Sequence, residues 1–243
     1  MFDHVTLRVS ERGASERFYR RVLATLGIEM SYSGADLVEW SEFSLVEAGD
    51  GEGVTRRLHV GFIAPSRAHV DAFWRTGIEA GSRDDGAPGP RAEYGNDYYG
   101  GFLLDAEGNS VEAVHHERLW PDGAIDHLWI RVLDLDTSTR FYETVAPYAG
   151  FARVPAEPGR SRFRRAGGSF TLLEGAATQH VHLAFGASDR GTVGTFHRAL
   201  MAAGHRDNGA PGERPRYHPG YHAAYVLDPD GNNVEVVHHE RDG

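Results

Sequence analysis

Hydrophobic and polar residues alternate over 4–9 (His-Val-Thr-Leu-Arg-Val), the period of a half-buried strand. The spacing then becomes helical over 14–27, where Phe18, Val22 and Leu26 fall on one stripe. Two short strand-like runs follow at 36–40 and 43–47. The order restarts with a strand at 58–63, a helix at 66–80 and a turn-rich stretch. A strand at 99–104, a turn at 105–109 and a strand at 110–115 close it. The rest of the chain repeats the series: strand 127–132, helix 137–149, strands near 162–165 and 169–174, strand 181–186, helix 189–203, and strands near 221–227 and 233–238. The pattern predicts four βαβββ modules, an α+β fold.

The repetition extends to residue identity. Asp3-His4-Val5 returns as Asp126-His127-Leu128, an offset of 123 residues, and Leu58-His59-Val60 returns at the same offset as Val181-His182-Leu183. The segment from Asp105 to Glu117 (Asp-Ala-Glu-Gly-Asn-Ser-Val-Glu-Ala-Val-His-His-Glu) returns as the segment from Asp228 to Glu240. Two homologous domains are therefore expected: 1–118, with modules of about 1–55 and 56–118, and 124–243, with modules of about 124–178 and 179–243. Pro121-Asp122-Gly123 supplies turn chemistry between them. The Gly-Ala-Pro-Gly runs at 86–89 and 209–212 lack the Lys-Ser/Thr of a phosphate loop and are expected to be turns. Asp228-Pro-Asp-Gly-Asn is expected to be a hairpin turn, without the ligand spacing of a calcium loop.

Composition narrows the function. A formal net charge of −10 over 243 residues argues against nucleic acid or an anionic membrane surface as partner and leaves a small molecule. With no cysteine in the chain, any metal must be held by His and carboxylate. No basic segment followed by an apolar core opens the sequence, and no apolar run approaches a membrane span, so a cytoplasmic protein is expected.

Strand alternation selects ligand candidates. Val5, Leu7 and Val9 take the core, leaving His4, Thr6 and Arg8 on the opposite face; Val60 and Phe62 leave His59 there, and Val111 and Ala113 leave Glu112. The second half gives His127, His182 and Glu235 by the same rule. Two imidazoles and one carboxylate on one side of a metal, with open positions opposite, suit Fe(II) first and also accept Mn(II), Zn(II), Ni(II) or Co(II).

The motifs at 3–9, 58–62 and 105–112, each with its counterpart 123 residues on, resemble the vicinal-oxygen-chelate superfamily of glyoxalases, bleomycin-resistance proteins and dioxygenases. The resemblance implies paired βαβββ modules forming cupped mixed β-sheets with flanking helices, and metal ligands at His4, His59, Glu112, His127, His182 and Glu235. It leaves the pairing open. Modules joined within each half give His4, His59, Glu112 and His127, His182, Glu235; modules 1 with 4 and 2 with 3 give His4, His182, Glu235 and His127, His59, Glu112. Glyoxalase I types add a fourth ligand from the last strand of the first module. Ser44 and Thr171 stand at the corresponding place, and a one-residue shift would bring in Glu47 and Glu174.

Further candidates share these faces. Arg8 and Arg131, four residues past the first His of each half, can fix a substrate oxygen. Trp129 replaces Thr6 and offers a stacking surface. His116 and His239, four residues past each Glu, are candidate general acids or bases, with surface strand ends as the alternative. Tyr98 is a substrate-binding candidate, and Tyr221 and His222 are candidates for stabilising an oxyanion, with loop packing as the alternative. The expectation is a divalent-metal-dependent enzyme, monomeric or homodimeric, acting on a small oxygen-rich substrate by extradiol-dioxygenase-like or glyoxalase-like lyase or isomerase chemistry. The alternative is a non-catalytic binding protein of the bleomycin-resistance type.

Overall fold

The structure is a computed structural model describing residues 1–120 and 122–240. Pro121 of the expected inter-repeat turn and residues 241–243 of the expected second domain lie outside the described residues. Module 1 comprises β1 (His4–Val9), α1 (Arg12–Ala24), β2 (Tyr32–Ser33), β3 (Leu37–Trp40) and β4 (Phe43–Glu47). Module 2 comprises β5 (Leu58–Ile63), α2 (Arg67–Glu79), β6 (Arg83–Pro90), β7 (Tyr99–Leu104) and β8 (Ser110–His115). Module 3 comprises β9 (Ile125–Val132), α3 (Leu135–Ala149), β10 (Ala152–Val154), β11 (Arg160–Arg165) and β12 (Gly168–Glu174). Module 4 comprises β13 (His182–Gly186), α4 (Arg190–Ala202), β14 (Arg206–Glu213), β15 (Tyr221–Leu227) and β16 (Asn233–His239).

The modules pair across the sequence halves. One eight-stranded mixed sheet has the order β14-β15-β16-β13-β1-β4-β3-β2, and the other β10-β11-β12-β9-β5-β8-β7-β6. β1 therefore meets β13 and β5 meets β9, both antiparallel. Modules 1 and 4 build one sheet and modules 2 and 3 the other, so each sheet draws on both copies of the repeat.

The first strand after each module's helix is an edge strand with weak alternation, which is why β2, β6, β10 and β14 escape the sequence pattern. The Gly-Ala-Pro-Gly runs are a correction: they lie inside β6 and β14, not in turns. Pairing there shifts register at Gly86 and Gly209, both with positive φ (150° and 156°) that favours glycine. A sheet edge tolerates the proline.

Burial follows the predicted faces with one adjustment. In α1 the fully buried aromatic is Tyr19, while Phe18 is only partly buried against the core. Tyr19 donates to the buried Asp105 (2.9 Å), whose two oxygens also accept from the Glu107 amide (2.9 Å) and the Asn109 amide (2.8 Å) and side chain (3.0 Å). The second copy builds the same knot from Tyr142, Asp228 and Asn232. Each knot ties a helix of one sheet to a hairpin turn of the other, and the buried apolar side chains of both sheets form one continuous core. The expected turn at 228–232 is this hairpin between β15 and β16.

Candidate functional site

Pairing of β1 with β13 sets His4 opposite Ala184 and Thr6 opposite His182, while β13 against β16 sets Ala184 opposite Glu235. His4, His182 and Glu235 thereby converge, each with a ligand atom within 4.8 Å of the others (site I). Pairing of β5 with β9 and β8 sets Gly61 between His127 and Glu112, and His59, Glu112 and His127 converge by the same criterion (site II). Of the two groupings open at the level of sequence, the structure forms the one drawn from modules 1 with 4 and 2 with 3.

Site II is the more enclosed. His59 and His127 side chains are 12% and 9% exposed, against 21% and 24% for His4 and His182. Its backbone also makes room: a Cβ at Gly61 would stand 2.4 Å from the His127 ring, and one at Gly100 2.4 Å from Glu112 Oε1. Site I has Ala184 and Ala223 at the corresponding positions.

Hydrogen bonds fix the protonation of the converging atoms. A carboxylate only accepts, so His127 Nδ1 donates to Asp126 (2.9 Å) and His4 Nδ1 to Asp3 (2.9 Å). Ser110 Oγ donates to Asp85 (2.7 Å) and so accepts from His59 Nδ1 (3.0 Å). In the neutral rings the lone pairs of His59 Nε2 and His127 Nε2 then face each other at 3.2 Å, with Glu112 Oε2 3.0 and 3.4 Å away. At site I, Glu235 Oε2 lies 2.8 Å from His182 Nε2 and 3.5 Å from His4 Nε2. The second carboxylate oxygen is taken by a phenol in each case: Tyr98 donates to Glu112 Oε1 (2.7 Å) and Tyr221 to Glu235 Oε1 (2.6 Å).

Such clusters demand positive charge. Burial opposes charge on His4 and His127, but hydrogen bonds to Asp3 and Glu235, and to Asp126 and Glu112, outweigh it and raise both to about 9. Burial lowers the two remaining rings, His59 and His182. Against burial, hydrogen bonds from both histidines draw Glu112 and Glu235 down to about 2. Burial and the adjacent carboxylates push Tyr98 and Tyr221 well up, keeping them protonated donors.

The remaining candidates take varied places. Tyr98 and Tyr221 hold the Glu side chains. His116 and His239 lie one carboxylate back: His116 Nε2 donates to Asp126 (3.0 Å) and His239 Nε2 to Asp3 (2.9 Å). His222, adjacent to Tyr221 in β15, takes the opposite face, where Arg190 of α4, Arg214, Glu213 and His238 are its neighbours. Its counterpart Tyr99 likewise bonds Asp71 of α2 (2.8 Å), so His222 is not brought to site I. Arg8 faces Glu52 at 3.5 Å, while Arg131 lines a cleft of about 430 Å³ beside site II with Trp129, His59 and Tyr94. Trp129 lies 5.0 Å, centroid to centroid, from His59.

No fourth ligand joins either cluster among the described residues. Ser44 Oγ is bonded to Thr6 (2.8 Å), Thr171 accepts from Arg162 (3.4 Å), and Glu47 and Glu174 are exposed at their strand ends. Asp3 and Asp126 went unassigned at the level of sequence although the repeated Asp-His pair carried the signal. So did Glu39, which stands opposite Ser44 on β3 and whose carboxyl is raised by burial, against the pull of His4.

No protein-family model matches the chain, and no curated protein matches it. Solved structures do. Glyoxalase I from Zea mays is 18% identical, with 98% of this chain and 92% of that one covered and a TM-score of 0.68. A proposed dioxygenase from Bacillus subtilis is 15% identical over 99% of this chain and 85% of its own, with a TM-score of 0.65. A glyoxalase/bleomycin resistance protein from Albidiferax ferrireducens, 28% identical, covers 47% of this chain and 98% of its own at a TM-score of 0.42. The chain has the vicinal-oxygen-chelate fold.

Proposed function

We propose that this chain binds one divalent metal ion at each cluster and is a metal-dependent enzyme acting on a small substrate with two adjacent oxygens. The observation that carries the reading is the convergence at site II of three lone-pair-bearing atoms, His59 Nε2, His127 Nε2 and Glu112 Oε2, with no donor among them when both rings are neutral. A proton on one ring answers that demand in part; a dication answers it fully.

The donor set fits. Ligands about 2.1 Å from a common centre stand roughly 3.0 Å apart at right angles and roughly 3.4 Å apart at tetrahedral angles. Donors at site II are separated by 3.0, 3.2 and 3.4 Å. Three protein donors on one side leave positions for substrate, and two His with one carboxylate favour Fe(II), with Mn(II), Zn(II), Ni(II) and Co(II) also suited. A bound ion would supply Lewis acidity toward the substrate oxygens and, as Fe(II), a site for O₂.

The chain's own residues do the rest. Asp3 and Asp126 fix tautomer and ring angle, and Tyr221 and Tyr98 fix the carboxylate rotamer, so that one oxygen of each Glu stays free for the ion. At site I, Glu39 is a carboxylate outside the ligand set that, unlike Asp3, holds no histidine: half-buried, facing Ser44 across the strand pair, it is placed to accept a proton from a substrate carbon or hydroxyl. At site II the corresponding residue is Arg162, which holds an anion and takes no proton. The non-catalytic reading, small-molecule binding of the bleomycin-resistance type, draws support from that difference at site II alone.

Elemental analysis after anaerobic purification tests the proposal. About two equivalents of metal per chain, with Glu112→Ala and Glu235→Ala each losing one, is the expected result. No bound metal after reconstitution in chains of unchanged thermal midpoint would overturn it in favour of the binding protein.

A further inference from the structure

The 123-residue offset allows the two concave faces to be compared position by position, and they differ in charge. Where site II has Arg160 and Arg162 on β11, site I has Leu37 and Glu39 on β3. Arg57 at the start of β5 has His180 as its counterpart, and Trp129 has Thr6. Arg131 and Arg8 correspond, but Arg8 is answered at 3.5 Å by Glu52, in a loop between Ala48 and Thr55 that is four residues shorter between the matching Gly175 and Thr178 of the second copy. Among the described residues, no carboxylate lies within salt-bridge distance of Arg57, Arg91, Arg131 or Arg162. The cleft lining carries one carboxylate, Asp85, which accepts from Ser110 (2.7 Å), against the three guanidinium groups of Arg57, Arg91 and Arg131.

These guanidinium groups are placed by contacts that leave their charge unspent. Arg57 Nε donates to the Ala177 carbonyl (2.8 Å). Arg91 donates to the Ala87 carbonyl (2.7 Å) and lies 5.2 Å over the Phe102 ring, as its site I counterpart Arg214 does with the Ala210 carbonyl (2.6 Å) and the Tyr225 ring (5.4 Å). Arg160 is the exception: it lies 5.6 Å over Trp129 but is paired with Glu157 at 3.3 Å, and Tyr94 meets Trp129 edge-on at 5.2 Å. The cleft beside His59 is thus walled by Trp129, Tyr94 and Phe102 and rimmed by cations, on a chain whose formal net charge is −10. Arg57 and Arg131 are exposed and Arg91 is partly buried, so the cations stand at the mouth of the cleft, where clustered like charges without carboxylate partners raise the local concentration of anions.

We propose that site II selects a planar anionic ligand, an aromatic carboxylate by chemical class, and that site I does not select for negative charge. The ring would lie among Trp129, Tyr94 and Phe102, with its carboxylate held by Arg91 and Arg131 and the edge bearing its oxygens turned toward His59. Only the chelating edge rests on the metal reading of site II; the charge preference rests on Arg57 and Arg162, which site I replaces by His180 and Glu39, and on Arg131, whose counterpart Arg8 is paired with Glu52.

Calorimetric titration separates the two claims. The Zn(II)-loaded chain is titrated with 3,4-dihydroxybenzoate and with catechol, which share the diol and differ in the carboxylate; the metal-free chain is titrated with benzoate and with benzyl alcohol. The carboxylates are expected to bind at one site per chain, at least about tenfold more tightly than their neutral partners. Arg91→Gln together with Arg131→Gln, at the cleft rim, should abolish the preference with the thermal midpoint unchanged. Equal affinity of charged and neutral ligands, or a preference that survives the double substitution, would overturn the proposal. A chain that takes up no Zn(II) but prefers benzoate through these arginines would sustain it while ending the metal reading, and the converse pattern would do the opposite.

Discussion

Sites I and II share their ligand types, their Asp-His pairs, the second histidine behind each Asp and their Tyr-Glu bonds, yet several residues of the surrounding walls differ. Site II has Gly61 and Gly100 where site I has Ala184 and Ala223, a tryptophan where site I has a threonine, and Arg162 where site I has Glu39. The copies kept the residues proposed to fix an ion and diverged in several of those that line the clefts. The lesson is physical: donors must meet within a few tenths of an ångström and tolerate little change, whereas a cleft wall accepts any side chain that fits its volume.

The strongest test asks whether the scaffold is as symmetric as the donors. Asp105→Ala and Asp228→Ala each strand several buried donors, and each should cost about 4 kcal/mol in denaturant unfolding. Markedly unequal losses would place the asymmetry in the framework rather than in the clefts.

Titration of the metal-free protein comes next. Folding raises His4 and His127 from 6.5 to about 9. A raised folded-state value means stability that is fully present below pH 6.5 and lost as pH climbs through 9, up to about 3 kcal/mol for each imidazole. Thermal midpoints of the apoprotein should fall from pH 7 to 9.5, and saturating Zn(II) should remove the fall. For Glu112 and Glu235, lowered from 4.5 to about 2, the sign is reversed: their contribution is present above pH 4.5 and disappears toward pH 2.

A smaller change is expected when ring orientation is loosened. Asp126→Asn should weaken metal binding at site II by roughly 10–100-fold while leaving site I intact, and Asp3→Asn should do the reverse, read by competition with a chromophoric chelator. Weakening of both sites by either variant would show that the sites are coupled.

The least effect distinguishes the copies most finely. His59 Nδ1 is held by Ser110, itself anchored on Asp85, whereas the counterpart Asn233 bonds Asn208. Ser110→Ala should lower site II affinity by less than about tenfold, and Asn233→Ala should leave site I unchanged. Equal responses would show that this extra link does not distinguish site II.

The sequence alone determined the four modules, the core faces of their inner strands and all six candidate ligands, because a strand's alternation of faces is a local property and the repeat supplied each signal twice. It also held, unread, the exclusion of His222: neighbours in a strand cannot both face one cleft, and Tyr221 was already turned to Glu235. Edge strands β2, β6, β10 and β14 were lost because strands exposed at an edge need no alternation. Which ligands share a site was decided only by tertiary structure. His4 can be joined with His59 or with His182 without altering one local contact, since both strands carry the same pattern. Pairing β1 with β13 rather than β5 is a choice between surfaces more than a hundred residues apart and nearly identical in residue type. Nor could local pattern reveal that Arg57, Arg91 and Arg131, from three strands or their borders, rim one cleft. Charge accumulates there through folding, and only distances in the folded chain record it.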